Sequence, residues 1–427
     1  MQRRLLFVFL LIGLAAFAEE PTELDFASAY SAILQRSLRI ANEQWNVQAA
    51  DARVTVKRAA FLPTFTGSLS QTNDNVAYTP LQVSNEASLT AGINVYRYGA
   101  DTAALDGAKD DFRKENENLA NEYLGAEQEA VEAIVLAIQR KRQKDSVAKI
   151  AQIKSEAYEV AKQRYKRGLL PILEVEKSGI DLENSRTRLK NSDVALSSAN
   201  SALTVLLGHA RIHDDWPWQK MLKNLANSDQ LHFNLDGRPD YRSAQQAVFA
   251  ESSRLSQYHR QMYPSLDFSF SFNDINFNQS DVRDYETGLT LTFNFFNQLQ
   301  DYNAYQLQKV TLGQAEVHLE TVKRQAEAQV EMLRRQFQQQ LDAVRSLDRT
   351  LEITRRITED SMERFRMGRA TVNDLSIDQS RLLETEILDT DSWAATHTAY
   401  ASLCHACGLR LMANGTCGDI MGPKITD

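Results

Sequence analysis

Residues 164–175 read RYKRGLLPILEV, and 200 positions later residues 364–375 read RFRMGRATVNDL. Each stretch places an arginine and an aromatic residue before a glycine, and an acidic residue six positions after that glycine. The offset of 200 residues then continues without a gap as far as Gly208 and Gly408. A duplication of this length indicates that the chain consists of two copies of one structural unit.

Two further pairs of segments support the duplication. Residues 61–70 (FLPTFTGSLS) correspond to residues 262–271 (MYPSLDFSFS), and residues 93–98 (INVYRY) correspond to residues 291–296 (LTFNFF). Apolar and polar residues alternate in these segments, as they do in a strand that has one apolar face. We therefore predict four strands, at residues 63–72, 87–98, 264–273 and 285–296.

Two long helices are predicted at residues 101–167 and 301–367, which contain no proline and repeat apolar residues at helical spacing. Each would be about 100 Å long at 1.5 Å per residue. Gly168 and Gly368 are expected to end these helices in tight turns. The helices that return from the turns, residues 172–207 and 372–407, would be about 55 Å long.

The helix that enters the first copy, residues 23–60, is also expected to be about 55 Å long, and the same length is expected for its counterpart. Two half-length helices placed end to end match one long helix. This arithmetic predicts a rod of antiparallel helices, with the strands at one end and the glycine turns at the other.

Residues 1–18 have the three parts of a secretory signal peptide: two arginines, an apolar run and a closing Ala16-Phe17-Ala18.

The remaining organisation of the chain follows from the duplication. We assign residues 19–208 to the first repeat, 209–236 to an inter-repeat segment outside the rod near mid-height, 237–409 to the second repeat and 410–427 to a C-terminal tail.

The composition excludes several classes of protein. A formal net charge of −8 disfavours a nucleic-acid partner. No serine, histidine and acid arrangement, phosphate loop or carboxylate cluster stands out, so we expect neither enzymatic activity nor a cofactor. A periplasmic structural coiled-coil scaffold without a pore would explain the long helices, but it would not explain paired strands with one apolar face.

Four strands per chain cannot cross a membrane alone, because open sheet edges are not tolerated in hydrocarbon and single-chain barrels begin at about eight strands. Several chains must therefore close the sheet together. Three chains would supply about twelve strands, which is enough to leave an aqueous lumen. The sequence favours a closed oligomer without fixing its number of chains.

The duplicated turns, the strand openings FLPTF and MYPSL, and the motif GRPDY at residues 237–241 resemble the outer-membrane efflux protein (TolC-like) family over nearly the whole mature chain. The resemblance implies a mainly α fold of two tandem helix-strand-strand-helix repeats, which form a long α-helical barrel. It also implies that trimerisation builds a twelve-stranded transmembrane β-barrel. The implied function is a passive exit duct in the outer membrane with a long periplasmic extension.

The same resemblance implies a set of partners. The chain would form a homotrimer surrounded by outer-membrane lipid. It would dock on a periplasmic adaptor (membrane fusion) protein that is fed by an inner-membrane transporter of the RND, ABC or MFS type.

By position, the resemblance assigns adaptor docking to the two glycine turns. The first turn, Arg167-Gly168-Leu169, matches the small and apolar motif of the family, whereas the second, Met367-Gly368-Arg369, has a cation at the apolar position. Both glycines are also expected to act as helix C-caps with positive φ.

The resemblance places an acidic ring at the closed entrance, where Asp374 would line the pore. Glu174 is its counterpart in the first copy, and Ile377 stands where a second acid is often found. Phe365 and Ala370 occupy the positions of latch residues in the family, so a different closing network is expected. Alternatively, Asp374 is a first-turn acid stabilised by the helix dipole.

The three cysteines, Cys404, Cys407 and Cys417, would lie in an oxidising compartment. A disulfide between Cys407 and Cys417 is possible, and Cys404 is expected to be a packing residue. A zinc site is disfavoured, because the Cys-x-x-Cys pair lacks a second pair of ligands.

Overall fold

The computed structural model describes residues 23–24, 26–74, 82–208, 211–212, 231, 233–277, 280–293, 299–411 and 417–418. The predicted signal peptide, most of the inter-repeat segment 209–236 and most of the C-terminal tail 410–427 lie outside these residues.

The chain divides into two compact units. The hairpin unit takes its described residues from Met1–Arg36, Ala130–Met221 and Ser346–Ala394. The sheet unit takes its described residues from Ser37–Glu129, Leu222–Arg345 and Ala395–Asp427.

The described residues of the first copy form these elements: β1 Glu23–Leu24, α1 Phe26–Arg36, α2 Leu38–Ala59, β2 Thr64–Asp74, β3 Gln82–Tyr96, α3 Ala100–Lys166 and α4 Ile172–Leu207. A short strand, β4 Arg211–Ile212, pairs with β1 in parallel. After a 3₁₀ turn at Leu235–Gly237, the second copy contains α5 Pro239–Gln261, β5 Ser265–Phe277, β6 Ser280–Thr292, α6 Gln300–Arg366 and α7 Val372–Ala406. The end of the chain contributes β7 Arg410–Leu411 and β8 Cys417–Gly418.

The predicted class, a mainly α fold built from two tandem helix-strand-strand-helix repeats, is confirmed. Helices α3 and α6 contain 67 residues each and begin and end one residue before their predicted bounds. Each is therefore about 100 Å long. Within the described residues, no helix combines the length and the hydropathy that crossing a lipid bilayer requires.

In the first copy the predicted entering helix is confirmed from Phe26 to Ala59 except for a break at Ser37, whereas in the second copy the predicted length of about 55 Å is wrong. In the first copy Ser37 leaves the helical conformation (φ −62°, ψ 114°) and caps α2, because its hydroxyl oxygen accepts a bond from the amide of Ile40 at 3.5 Å. In the second copy α5 has only 23 residues and starts at Pro239. Proline is favoured at this position because the first helical N–H has no partner within the helix.

The four long strands form one antiparallel sheet in the order β2-β3-β5-β6. Its register places Leu89 between Gly67 and Phe272, and Ile93 opposite Phe268. Side chains alternate between the faces of a sheet, so the register defines an apolar sheet face: Phe65, Leu69, Leu89, Ile93, Phe268, Phe270, Phe272, Leu289 and Leu291. The opposite, polar sheet face contains Thr66, Ser68, Ser88, Thr90, Ser269, Ser271, Asn273 and Thr290.

The apolar sheet face is exposed in the single chain. Leu69 is 88% exposed, Leu89 on a central strand is 51% exposed, and Leu291 is 68% exposed. Contiguous apolar surfaces of this kind mark sites of protein or membrane contact. In the described residues, the outer strands β2 and β6 each pair with another strand on one side only.

The hairpin unit is held together by two apolar clusters that combine residues of both copies. The cluster near the turns contains Ala157, Ala161, Val175, Met362, Phe365, Val372 and Leu375. The second cluster contains Val147, Ile150, Leu351, Leu382 and Leu383. Because α3, α4, α6 and α7 all contribute, the two hairpins fold as one body within this unit.

In the sheet unit the GRPDY motif connects the start of the second copy to its end. The Arg238 guanidinium donates to both carboxylate oxygens of Asp240 at 2.9 and 2.6 Å, and to the carbonyl oxygen of Ala406 at 2.6 Å. The buried carboxylate of Glu127 accepts bonds from the Arg410 side chain and from the backbone amide of Leu411. These charge-assisted bonds fix the chain just beyond α7.

The disulfide prediction is wrong: Cys407 is a free, buried thiol, and Cys404 is disulfide-bonded rather than a packing residue. Gly408 (φ +72°) ends α7 in a reversing turn, in which the amide of Leu409 donates to the carbonyl oxygen of Cys404 at 2.9 Å. The chain therefore folds back beside Cys404. Burial raises the pKa of the Cys407 thiol, which disfavours its reactive thiolate.

Candidate functional site

The first glycine turn follows α3. Gly168 has φ +72°, its amide donates to the carbonyl oxygen of Tyr165 at 2.8 Å, and the amide of Leu169 donates to that of Arg164 at 2.9 Å. These two bonds satisfy the last carbonyl groups of the helix. Among the described residues, no atom outside the local backbone lies within 4 Å of a Cβ built on Gly168. Its conformation, and not a lack of space, therefore requires glycine.

The second turn repeats this geometry after α6. Gly368 has φ +80°, its amide donates to the carbonyl oxygen of Phe365 at 3.0 Å, and the amide of Arg369 donates to that of Arg364 at 2.8 Å. A Cβ built on Gly368 would lie 2.7 Å from Nη2 of Arg164. The two turns are therefore neighbours in the hairpin unit.

Arg164 links the first hairpin to the second. Its Nη1 donates to the carbonyl oxygen of Phe365 at 3.0 Å, and its guanidinium carbon lies 5.7 Å from the centre of the Phe365 ring. This position suits a cation–π interaction. Phe365 is 0% exposed. The structure therefore places this predicted entrance residue inside the core below the turns.

Asp374 lies in the first turn of α7 and bonds to Thr371, the residue just before that helix. One of its carboxylate oxygens accepts bonds from the Thr371 hydroxyl at 2.7 Å and the Thr371 amide at 3.1 Å, and the Asp374 amide donates to that hydroxyl oxygen at 3.1 Å. This reciprocal arrangement is a capping box with aspartate at the third position. The bonds from Thr371 lower the pKa of Asp374 below its ordinary value.

The counterpart Glu174 is held differently. Pro171 precedes α4 and has no amide hydrogen or hydroxyl to form a capping box. The Glu174 carboxylate instead pairs with Lys177 at 2.9 Å. The two copies therefore present their acidic residues in different local settings.

We expect Asp374→Asn to lower the melting temperature near neutral pH. The folded-state pKa is below the unfolded value of about 3.9, so the bonds stabilise the chain above that value and are lost as pH falls through the folded pKa. Thermal melts at about pH 7 and about pH 2.5 measure this. Thr371→Val should reproduce the loss at pH 7. An equal deficit at both pH values would contradict the assignment.

The surface around the turns combines exposed apolar side chains with exposed cations, among them Arg167 and Arg369. The exposed apolar side chains are Leu169, Ile172, Leu173, Met367 and Ile377. Leu169 is 63% exposed, and Ile377 is exposed one helical turn beyond the exposed Asp374. The structure thus brings the six predicted turn residues and Asp374 to one end of the hairpin unit. Cys407 belongs to the sheet unit, as does the backbone of Cys417.

A groove between α3 and α4 was missed by the sequence reasoning. It has a volume of about 710 Å³, and its lining includes Tyr158, Glu159, Glu176, Gly179, Ile180 and Glu183. At the corresponding positions of the second copy, Thr358, Gln379 and Leu383 are buried. The replacement of Gly179 by Gln379 is the sequence signal that could have revealed this difference between the hairpins.

The described part of the chain contains no group of three or more histidine, cysteine, aspartate or glutamate residues arranged to hold a metal ion.

Comparison with known proteins identifies the class. The sequence profile of the outer membrane efflux protein family matches residues 29–209 and 232–409, which together cover most of the chain. The chain therefore belongs to the outer membrane efflux protein family, as its resemblance predicted. No curated protein matches the sequence.

Solved structures of bacterial channels have the same fold. CusC superimposes with a TM-score of 0.79 at 16% identity, covering 91% of this chain and 93% of CusC. VceC from Vibrio cholerae superimposes with a TM-score of 0.76 at 14% identity, covering 90% of this chain and 96% of VceC. The open state of the MtrE channel from Neisseria gonorrhoeae superimposes with a TM-score of 0.74 at 14% identity, covering 90% of this chain and 88% of MtrE.

At these identities the structural comparisons establish the fold alone. The family and the fold are those of outer-membrane channel proteins and not of enzymes.

Proposed function

We propose that this chain is one protomer of a homotrimeric exit duct in the outer membrane, which passively conducts solutes out of the periplasm. In this proposal three sheets close into a twelve-stranded β-barrel, and the helices continue the duct into the periplasm as an α-helical barrel. Selection of the cargo belongs to an inner-membrane transporter of the RND, ABC or MFS type.

The apolar sheet face is the observation that carries the proposal. One face of the sheet exposes leucine and phenylalanine, while the other exposes serine, threonine and asparagine. Lipid against the first face and water against the second satisfy both surfaces. Joining β2 of one chain to β6 of the next would remove the open edges, which hydrocarbon does not tolerate.

The glycine turns are the proposed docking site for the periplasmic adaptor protein. Leu169 and Met367 expose apolar side chains at the turns, and Arg167 and Arg369 add positive charge beside them. Apolar contacts surrounded by charged residues suit a specific protein interface. The second turn offers a cation in place of the first turn's leucine, so the two docking contacts differ in chemistry.

Asp374 is the proposed acidic ring of the entrance. Its carboxylate is solvent-exposed and kept ionised by its bonds with Thr371. Three such carboxylates around a narrow axis would attract cations and repel one another. Ile377 would form an apolar ring next to them, and the buried Phe365 would support the turn from within.

Single-channel recording tests the function. Purified, detergent-extracted oligomers in planar bilayers are expected to give discrete conductance steps. Folded oligomers that never conduct would instead favour a structural scaffold of the envelope.

We expect Asp374→Ala to reduce the cation selectivity of the pore and to weaken its block by a divalent cation added on the periplasmic side. The loss of three carboxylates from one ring is the physical reason. Glu174→Ala is the matched control, since it removes the corresponding acid of the other copy. Equal effects of the two substitutions would remove the entrance role of Asp374 and leave the channel in place.

A further inference from the structure

The apolar sheet face ends before the strands do. In the direction away from the helices, the last apolar or aromatic side chains on this face are Leu69, Ala87, Phe272 and Tyr285. Residues two positions apart on a strand share a face. The next side chains on the same face are polar: Gln71, Asn85, Asp274 and Arg283. All four strands therefore cross a border between apolar and polar surface on this face.

The border is staggered across the sheet. Ala87 of β3 is paired with Leu69 of β2 and with Asp274 of β5. Asp274 is in turn paired with Arg283 of β6, so one row of paired residues is apolar on two strands and charged on the other two. The strands of membrane barrels are tilted by about 35–45°, so a membrane surface crosses neighbouring strands at different rows. A staggered border is therefore expected where the sheet leaves the apolar part of a bilayer.

A pocket of about 520 Å³ lies on this border. From the apolar sheet face it is lined by Leu69, Ala87, Gln71, Asn85, Asp274 and Arg283. Ser70 and Glu86 line it from positions of the polar sheet face. Apolar side chains and hydrogen-bonding groups thus meet in one pocket, which suits a molecule that has an apolar and a polar part.

Arg283 is the cation of this pocket. Its Nε lies 3.5 Å from Oδ2 of Asp274, and its side chain is 67% exposed. An exposed pair of this kind holds its partners weakly, and one such contact leaves guanidinium N–H donors available to a ligand. Guanidinium groups bind phosphate through two parallel N–H···O bonds. The side-chain amides of Gln71 and Asn85 add further donors to the same pocket.

We propose that this pocket binds the phosphate-bearing headgroup of a membrane lipid, with Arg283 on the phosphate and the acyl chains lying along the apolar sheet face beside Leu69 and Phe272. The inference rests on the proposed function, which places lipid against that face. Each chain contributes one such pocket, at the end of the sheet remote from the helices.

The charges of the pocket favour a lipid over a free anion. Asp274 and Glu86 outnumber the single cation Arg283, so a small anion gains little from the pocket as a whole. A lipid is held in addition by its acyl chains, because their burial against apolar side chains is favourable. The phosphate group then has to bind only well enough to select the headgroup.

Lipid binding to the delipidated, detergent-solubilised oligomer tests the proposal. Phosphatidylglycerol is titrated, and bound lipid is counted by native mass spectrometry for the wild type and for Arg283→Gln. The matched control is Arg324→Gln, because Arg324 is also an exposed arginine paired with a carboxylate, that of Glu320 at 2.8 Å. It lies about 35 Å from the start of α6. A galactosyl diacylglycerol, which has acyl chains and no phosphate, and inorganic phosphate are the ligand controls.

We expect the wild type to bind phosphatidylglycerol about tenfold more tightly than the galactolipid, because charge-assisted bonds to the phosphate are formed. Arg283→Gln should remove this preference, and Arg324→Gln should keep it.

The proposal is overturned if folded trimers bind both lipids equally, or if Arg283→Gln keeps the preference. Inorganic phosphate that binds as tightly as the lipid would overturn the lipid as occupant. In each of these cases a conducting trimer leaves the proposed function in place. A monomer that stays in solution without detergent and binds neither lipid would overturn both.

Discussion

Replacing Leu89 with arginine is expected to abolish assembly of the chain into the outer membrane. Leu89 lies at the middle of central strand β3, is half-exposed, and points to the apolar sheet face between Gly67 and Phe272. An arginine at the bilayer midplane costs roughly 2–4 kcal/mol, so three copies cost roughly 6–12 kcal/mol per trimer. The amount of detergent-extractable oligomer in the outer-membrane fraction measures the effect.

Thr90→Arg is the matched control, because Thr90 is adjacent on the same strand but belongs to the polar sheet face. It should assemble normally and change only the ion selectivity. If Thr90→Arg fails to assemble and Leu89→Arg succeeds, the assignment of the two faces is reversed.

The Phe365→Ala substitution is expected to destabilise the hairpin unit by about 3–5 kcal/mol. Phe365 is fully buried in the cluster with Ala157, Ala161 and Leu375, and its ring also receives the Arg164 guanidinium. Truncation leaves a cavity because the surrounding alanines are too small to fill it. Thermal melting followed by far-UV circular dichroism measures the loss.

Leu169→Ala provides the comparison for this experiment. Leu169 is mostly exposed at the neighbouring turn, so its truncation should change the free energy of unfolding by less than about 0.5 kcal/mol. Similar losses for both substitutions would mean that Phe365 is not a core residue, and its predicted place in an open entrance would become the better interpretation.

The duplication made the long helices and the glycine turns predictable. Helical spacing without proline set the bounds of α3 and α6 to within one residue, and the glycines at 168 and 368 specified positive φ. Alternation predicted the two faces of the sheet. The strands extend beyond the predicted bounds at some ends, because pairing continues past the most regular alternation.

Features that depend on tertiary contacts were not predictable. The break at Ser37 is different, because it depends on a local capping bond three residues long within a segment of continuous helical periodicity. The choice between Cys404 and Cys407 is decided by the chain reversal at Gly408, a geometric effect that spacing does not encode. The Arg164 contact with Phe365 joins residues 201 positions apart.

For the candidate site, the sequence predicted the turn residues and Asp374, but it did not predict that Asp374 forms a capping box. Asp374 proves to be a capping residue as well as a candidate for the acidic ring, because Thr371 stands three residues before it. At the corresponding position the first copy has Pro171, which removes the cap. This difference could have been read from the alignment of the two copies.

The most direct test of the account is thiol accessibility at two adjacent positions of β5 in a conducting trimer. Ser271 is on the polar sheet face and Phe270 is on the apolar sheet face. With Ser271→Cys, a membrane-impermeant cationic thiol reagent should lower the single-channel conductance, while Phe270→Cys channels should not respond. A response of Phe270→Cys alone, or folded oligomers without conductance, would contradict the claim that the polar face lines an outer-membrane pore.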